Sequence, residues 1–404
     1  MDKAIKRRLG LIFGFVLIDL LGYSLILPLL PYYAETFGAT LTLVGLLGTV
    51  NALGQLIAAP TIGRLSDRYG RRPLLIVSIT GTLISFTLLG VARSLPIIFL
   101  SRILDGLFGG DISLARAYIT DVTDEKNRAR GLGIIGAAFG LGFIVGPAMG
   151  GLLSRFGYHV PALVAAGLSA FNLIAVVLWL PESLSPERRA DARHNPGTRF
   201  SFRLLAEALQ RPCVGPLLQI SLLYSLAFTL FQSNFALYAK TRLALDVQAT
   251  SFVLTYVGIL SVLIQGFAIG RLTARFRERQ LIFTGTIVLT LALLGWAFAP
   301  NVWVLLVVLA PTALAAGVLN TVLASQLTKV VRREETGGTL GLSASLQTFS
   351  QIVAPGLGGA LLENVGTWSV GLLGALIMVW AIALTRRKVL SQPDNTDANC
   401  WPGP

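Results

Sequence analysis

The sequence predicts an all-α integral membrane protein with twelve transmembrane helices in two pseudo-symmetric six-helix bundles. Three observations predict it. Only 13% of the 404 residues are charged and 54% are hydrophobic, where soluble chains carry about 25% charged residues. Twelve stretches are apolar and near the length, about 20 residues, that crosses a bilayer as a helix. Two motifs recur at almost one spacing. Gly63-Arg64-Leu65-x-x-Arg68 returns 207 residues later as Gly270-Arg271-Leu272-x-x-Arg275. Pro147-x-x-Gly150-Gly151 returns 208 residues later as Pro355-x-x-Gly358-Gly359.

The predicted spans are 9–31, 43–62, 74–92, 95–118, 131–153, 160–180, 214–238, 249–270, 281–299, 302–325, 339–361 and 367–385. Each must be helical, because lipid offers no partner for an open backbone. The first starts basic and then turns apolar, as a signal peptide does, but its apolar run is too long and has no small-residue cleavage site. Residues 1–180 form the predicted first bundle and 214–385 the second. The linker 181–213 is broken at Asn195-Pro196-Gly197 and then reads as a short amphipathic helix over 201–210. Residues 386–404 form a tail.

Direction follows from the basic residues. With the N-terminus in the cytoplasm, 27 of the 33 Lys and Arg fall on inner segments, which sets both termini inside a plasma (inner) membrane. The same placement accounts for the net charge of +13 through the anionic inner leaflet, so no nucleic-acid partner is expected. Two Cys and the two His, His159 and His194, are too few for a metal cluster. Gly131-Leu132-Gly133-Ile134-Ile135-Gly136 matches a dinucleotide fingerprint, but no strand precedes it and an apolar span follows. With no nucleotide loop and no triad, neither an enzyme nor a cofactor is predicted. Duplicated six-helix halves are a common build of secondary transporters. That build implies a small-molecule substrate and a lipid bilayer as partners, and a monomer is expected.

Charges inside spans carry the mechanism, since each costs about 2.5–3.5 kcal/mol at mid-helix. Asp19 lies ten residues into span one, roughly 15 Å deep at 1.5 Å per residue. Asp105 reaches similar depth in span four, with Arg102 one turn before it on the same face. Asp105, with Arg102 as the cation that tunes it, Asp19 and, more weakly, Asp111 are the proton-coupling candidates. A static Arg–Asp brace is the competing reading. Asp111 and Arg116, five apart, do not pair along a helix. On the inner side, Arg68 or Arg71 is a candidate partner for Asp121, while Gly63 and Gly70 permit a tight turn and close helix contact. Span seven offers Phe228, Phe231, Gln232, Asn234 and Phe235, with Tyr256 in span eight, as candidates to line a cavity for a flat lipophilic cargo.

The segment Gly63-Arg64-Leu65-Ser66-Asp67-Arg68-Tyr69-Gly70-Arg71-Arg72-Pro73 resembles the loop signature of the major facilitator superfamily. Asp19 with Gly22, Pro28 and Pro31 resembles the first-span motif of its drug–proton antiporters, and Arg102-x-x-x-Gly106 their fourth-span motif. Gly142-x-x-x-Gly146-Pro147-x-x-Gly150-Gly151 resembles the fifth-span motif of antiporters. Ala117-Tyr118-Ile119-Thr120-Asp121-Val122-Thr123, with the loop signature, looks most like the tetracycline efflux proteins. The resemblance implies proton-driven export. It implies that Asp67 meets the start of the eleventh helix near Gly338, and that span five packs on span eight and resists a proton leak. The chain departs from those efflux proteins in having no Asp or Glu in 74–92 or 281–299 and no His in 249–270. A proton-coupled importer or metabolite carrier of the same fold is the alternative. A receptor without transport is a more distant one.

Overall fold

The computed structural model describes residues 3–185, 187, 189 and 207–390. The secondary structure of these residues is helical throughout, with no strand among them. In chain order the helices are α1 (Lys3–Ile26), α2 (Leu30–Glu35), α3 (Leu41–Tyr69), α4 (Arg71–Gly90), α5 (Leu95–Phe108), α6 (Asp111–Val122), α7 (Glu125–Leu153) and α8 (His159–Trp179). They continue as α9 (Val214–Leu243), α10 (Val247–Leu263), α11 (Ile269–Arg275), α12 (Glu278–Ala297), α13 (Val302–Lys329), α14 (Arg333–Asn364) and α15 (Ser369–Thr385). A π-helical turn, Ile264–Ala268, joins α10 to α11. Residues 201–206 of the anticipated amphipathic helix lie outside the described residues, and 207–210 are helical.

Ten helices among the described residues are long and apolar enough to cross a membrane. The predicted spans four and eleven are not among them, for different reasons. Span four is broken, because Gly109 and Gly110 leave helical geometry (φ −71°, ψ 75° and φ −122°, ψ 0°) and divide it into α5 and α6. Span eleven lies in the 32-residue α14, whose apolar stretch is diluted by Ser343, Ser345, Gln347, Thr348, Ser350 and Gln351. With these two the count agrees with twelve. The sequence reading treated 95–118 as continuous, since nothing in its apolar periodicity marks the break.

The loop ends also differ from expectation. Spans two and three were predicted to be joined by an eleven-residue loop, 63–73. In the structure α3 runs on to Tyr69 and α4 starts at Arg71, leaving Gly70 as the whole connection. Gly70 has φ +112°, a conformation that only glycine adopts without strain. Gly63 therefore sits inside α3 rather than in the turn, and a Cβ there would meet nothing within 4 Å.

The described residues of Met1–Thr198 and Leu245–Gly258 form one compact unit, and those of Arg199–Ala244 and Ile259–Pro404 form another. The first half of span eight thus groups with the first unit. Inside the first unit α1 packs on α7 and α8, and α4 on α5 and α8. Inside the second, α9 packs on α14 and α15, and α12 on α13 and α15. In span numbers these contacts are 1–5, 1–6, 3–4 and 3–6, then 7–11, 7–12, 9–10 and 9–12. The sequence repeat is therefore also a repeat of packing.

Candidate functional site

In the first unit, α3 and α5 cross almost backbone to backbone. A Cβ on Gly54 would come 2.8 Å from the Gly106 carbonyl carbon, and a Cβ on Gly106 would collide with the Asn51 carbonyl oxygen. Small residues permit such approach where lipid supplies no hydrophobic drive between helices. The crossing brings span two's polar side chains onto span four. Asn51 Nδ2 donates to Asp105 Oδ2 at 2.9 Å and to the Arg102 carbonyl at 3.1 Å, and Gln55 Nε2 donates to Asn51 Oδ1 at 2.8 Å.

Arg102 and Asp105 are both buried. The guanidinium lies 3.5 Å from Asp105 Oδ2. It also donates to Ser101 Oγ at 3.1 Å and Ser85 Oγ at 3.4 Å, and it sits 5.7 Å from the centre of the Phe86 ring. A buried charge needs this degree of pairing to be tolerated. Asp111 opens α6 just past the glycine break and is 7% exposed. Its Oδ1 is buried and finds no hydrogen-bond partner among the described residues. Asp19 is half-buried on α1, and the charges of Asp111 and Asp105 are near enough to act on it. The break thus brings three carboxylates into mutual range beside one buried arginine. Arg116 is exposed on α6.

At the opposite end of these helices the loop signature forms a network. Arg71, not Arg68, is the partner of Asp121, at 3.0 Å, and it pairs with Asp67 at 2.7 Å. Arg68 is exposed. Glu182, just past span six, accepts from the backbone N–H of Arg71 at 2.9 Å and of Arg72 at 3.2 Å. It also faces Arg189 at 3.5 Å. A Cβ on Gly70 would run into Glu182, so the positive φ and the absent side chain serve the same contact.

The glycines of span five line two seams within the first unit. Towards α1, Ser24 Oγ donates to the Gly142 carbonyl at 2.8 Å. A Cβ on Gly142 would sit 3.0 Å from Leu20, one on Gly146 would strike Ser24, and one on Gly150 would strike the Leu25 carbonyl. Towards α10, a Cβ on Gly151 would lie 2.6 Å from Ser251, and one on Gly258 would lie 2.6 Å from the Phe143 carbonyl oxygen. Pro147 lies inside α7 without ending it. Beside this seam the Tyr32 hydroxyl donates to the Leu245 carbonyl and meets Thr250 Oγ1, each at 2.8 Å.

The second unit has a different interior. Tyr224 and Phe228 stack at 5.8 Å, Phe231 and Phe235 meet edge to face at 5.7 Å, and Phe231 stands edge-on to Trp296 at 4.9 Å. Phe231 and Phe235 are buried, Phe228 is half-buried and Gln232 is exposed. Asn234 is fully buried, donates to the Leu230 and Ala354 carbonyls, and fills the space over Gly358. It therefore joins α9 to α14, while its Oδ1 is buried without a hydrogen-bond partner among the described residues. Tyr256 is half-buried on α10 and belongs to the first unit.

Sequence reasoning missed Asn51, Gln55 and Glu182. Asn51 and Gln55 were legible as two amides one turn apart in an apolar span. Glu182 was legible as an acid among basic linker residues.

A duplicated all-helical membrane fold with ionisable groups buried between its spans defines a secondary transporter. Residues 12–268 and 217–399 match the Major Facilitator Superfamily. The chain belongs to this superfamily, and it is a transporter, not an enzyme. It is 30% identical over 397 residues to tetracycline resistance protein, class C, of Escherichia coli, covering 97% of this chain and 99% of that protein. It is also 30% identical to solute carrier family 22 member 18 of Rattus norvegicus, with 90% of each chain covered. The crystal structure of the human organic anion transporter MFSD10 superposes with a TM-score of 0.71 at 21% identity, covering 95% of this chain and 100% of that one. At that identity the likeness speaks for the fold alone.

Proposed function

We propose that this chain is a proton-coupled antiporter that exports small lipophilic molecules by alternating access, as a monomer with both termini in the cytoplasm. The observation that carries the reading is the unequal pairing of the two buried carboxylates, Asp105 and Asp111. Asp105 is engaged by Asn51 and by the Arg102 cation, whereas Asp111 has no cation paired with it among the described residues, only the Ser78 and Thr82 hydroxyls beside it, and its buried Oδ1 meets the geometry of no hydrogen bond. A proton arriving at that oxygen displaces no existing donor. Intramembrane carboxylates of this kind mark proton pathways. The aromatic cluster of the second unit suits an apolar, flat cargo, and the tetracycline resistance relatives favour export. Substrate flux in proteoliposomes with and without an imposed pH gradient tests the proposal. Flux that needs the gradient and runs against the proton is expected. Flux that ignores the gradient, or that requires ATP, sinks it. The solute-carrier relatives leave the direction open, and the second reading is a proton-coupled importer or metabolite carrier of the same fold. Flux running in the same direction as the proton in that assay selects it.

A further inference from the structure

The repeat that relates the two halves is incomplete at its most charged point. Carrying the first-half motif forward by 207 residues places Ala274 at the position of Asp67, Arg277 at that of Gly70 and Glu278 at that of Arg71. Asp121, carried forward by 208 residues, falls on Lys329. By sequence the second copy has lost its acid and its glycine, and its arginine has become an acid. In the structure a contact is nevertheless present. Glu278 Oε1 lies 2.9 Å from Lys329 Nζ and accepts from Ser325 Oγ at 2.8 Å, while Oε2 accepts from Gln326 Nε2. Three side chains from the last turns of α13 converge on one carboxylate at the first residue of α12. We propose that Glu278 and Lys329 form a second clamp, a charge-inverted repeat of the Arg71–Asp121 pair, that fixes the loop ends of the ninth and tenth spans to each other. The proposal does not depend on proton coupling or on the direction of transport.

The inversion has a physical reason. A helix start attracts negative charge and a helix end attracts positive charge. Glu278 opens α12 and Lys329 closes α13, so both charges agree with the helices that carry them. Arg71 opens α4 and Asp121 lies in the last turn of α6, so both oppose theirs. The first unit compensates with a separate residue, since Glu182 accepts from the first two N–H groups of α4. In the second unit one carboxylate serves as pairing partner and as the anion at the helix start. Geometry distinguishes this from a routine surface pair, which contributes little. Lys329 is 60% exposed but the Glu278 side chain only 17%, and both of its oxygens are taken, with Ser325 and Gln326 adding to the lysine.

The test uses the full-length protein in lipid nanodiscs and amide hydrogen exchange at residues 282–286 and 322–329. Glu278→Lys alone and Lys329→Glu alone should each raise exchange there about tenfold, as local opening becomes easier. Glu278→Gln, which keeps the side chain's shape and one acceptor oxygen but removes the charge and turns the other position into a donor, should give a smaller rise of about threefold. The double variant Glu278→Lys with Lys329→Glu should return exchange to within about threefold of the wild type. It should stop short of full restoration because the swapped charges then oppose both helix ends. Exchange across residues 71–90 should not change in any variant, which reports that the rest of the chain is folded. Single variants that exchange like the wild type overturn the proposal. So does a double variant that exchanges as fast as the singles.

Discussion

In the first unit, spans one and four bury Arg102, Asp105 and Asp111 and half-bury Asp19. In the second unit, 214–238, 281–299, 302–325, 339–361 and 367–385 contain no Asp, Glu, Lys or Arg, and aromatic rings occupy the interior of α9 and α12. Yet the two units share their packing, with span one on span five repeated as seven on eleven, and three on six as nine on twelve. Packing is therefore separable from chemistry in this fold. Small residues at fixed seams preserve the architecture, and the side chains between the seams are free to diverge. The seams themselves diverge in detail, since Gly150 is closed by the Leu25 carbonyl in the first unit and its counterpart Gly358 by the Asn234 side chain in the second.

The comparison breaks first at the seams if it is wrong. Gly106→Val and Gly358→Val should each remove most of the folded protein, because each adds bulk where a neighbour already sits. Overpacking costs about 1–3 kcal/mol or more. Size-exclusion profiles of tagged protein read the result, and an intact profile for either variant would show that its seam is slack. Next comes the charge. Asp111→Asn should drop gradient-driven flux to the level of empty liposomes while leaving the protein folded. If flux persists in Asp111→Asn but is lost in Asp105→Asn, the proton carrier is Asp105. Third, Arg102→Ala should lower thermal stability, by about 3 kcal/mol for a buried partner left alone. Adding Asp105→Asn should recover part of that loss, and strict additivity of the two changes would argue against a coupled pair. Fourth, Asp67→Asn should slow transport several-fold at equal expression, by releasing Arg71 from one of its two carboxylates. The smallest effect belongs to the second unit. Phe228→Ala should change which cargoes are accepted while the dependence on a pH gradient stays. A cargo panel on that variant sharpens the division of labour, and loss of gradient dependence there would end it.

Much of this was readable from the chain, for physical reasons. The spans announce themselves because lipid demands about 20 apolar residues. The Arg102–Asp105 pair was readable because one helical turn separates the two residues. The pairing of Asp121 was legible as a choice between two arginines but not as Arg71 in particular, because the choice depends on α3 running to Tyr69 and turning at a single glycine. The break at Gly109–Gly110 was hidden, since two glycines in an apolar span read equally well as packing residues. Asn234 reads as a cavity candidate because polarity in a span suggests function, and its contact with α14 over Gly358 was not legible. No local pattern could reveal that, as the two residues are more than a hundred positions apart.

The interruption of the fourth span has a consequence for how the chain enters the bilayer. At 1.5 Å per residue, the 14-residue α5 reaches about 21 Å and the 12-residue α6 about 18 Å, both short of a hydrocarbon layer about 30 Å thick. The segment also carries Arg102, Asp105, Asp111 and Arg116, each a penalty to the insertion machinery. Alone it is a poor stop-transfer sequence. Its partition into lipid should depend on a chaperone within the same polypeptide, the third span, whose Ser78 donates to the Phe108 carbonyl at the break and whose Ser85 lies against Arg102. In a glycosylation-reporter assay, 95–122 should insert poorly by itself and far better when preceded by 71–94. Equal insertion of the two would remove the dependence. Biogenesis of the first half then proceeds by hairpins, and a lesion in span three that leaves every transport residue intact would still cost the cell the whole protein.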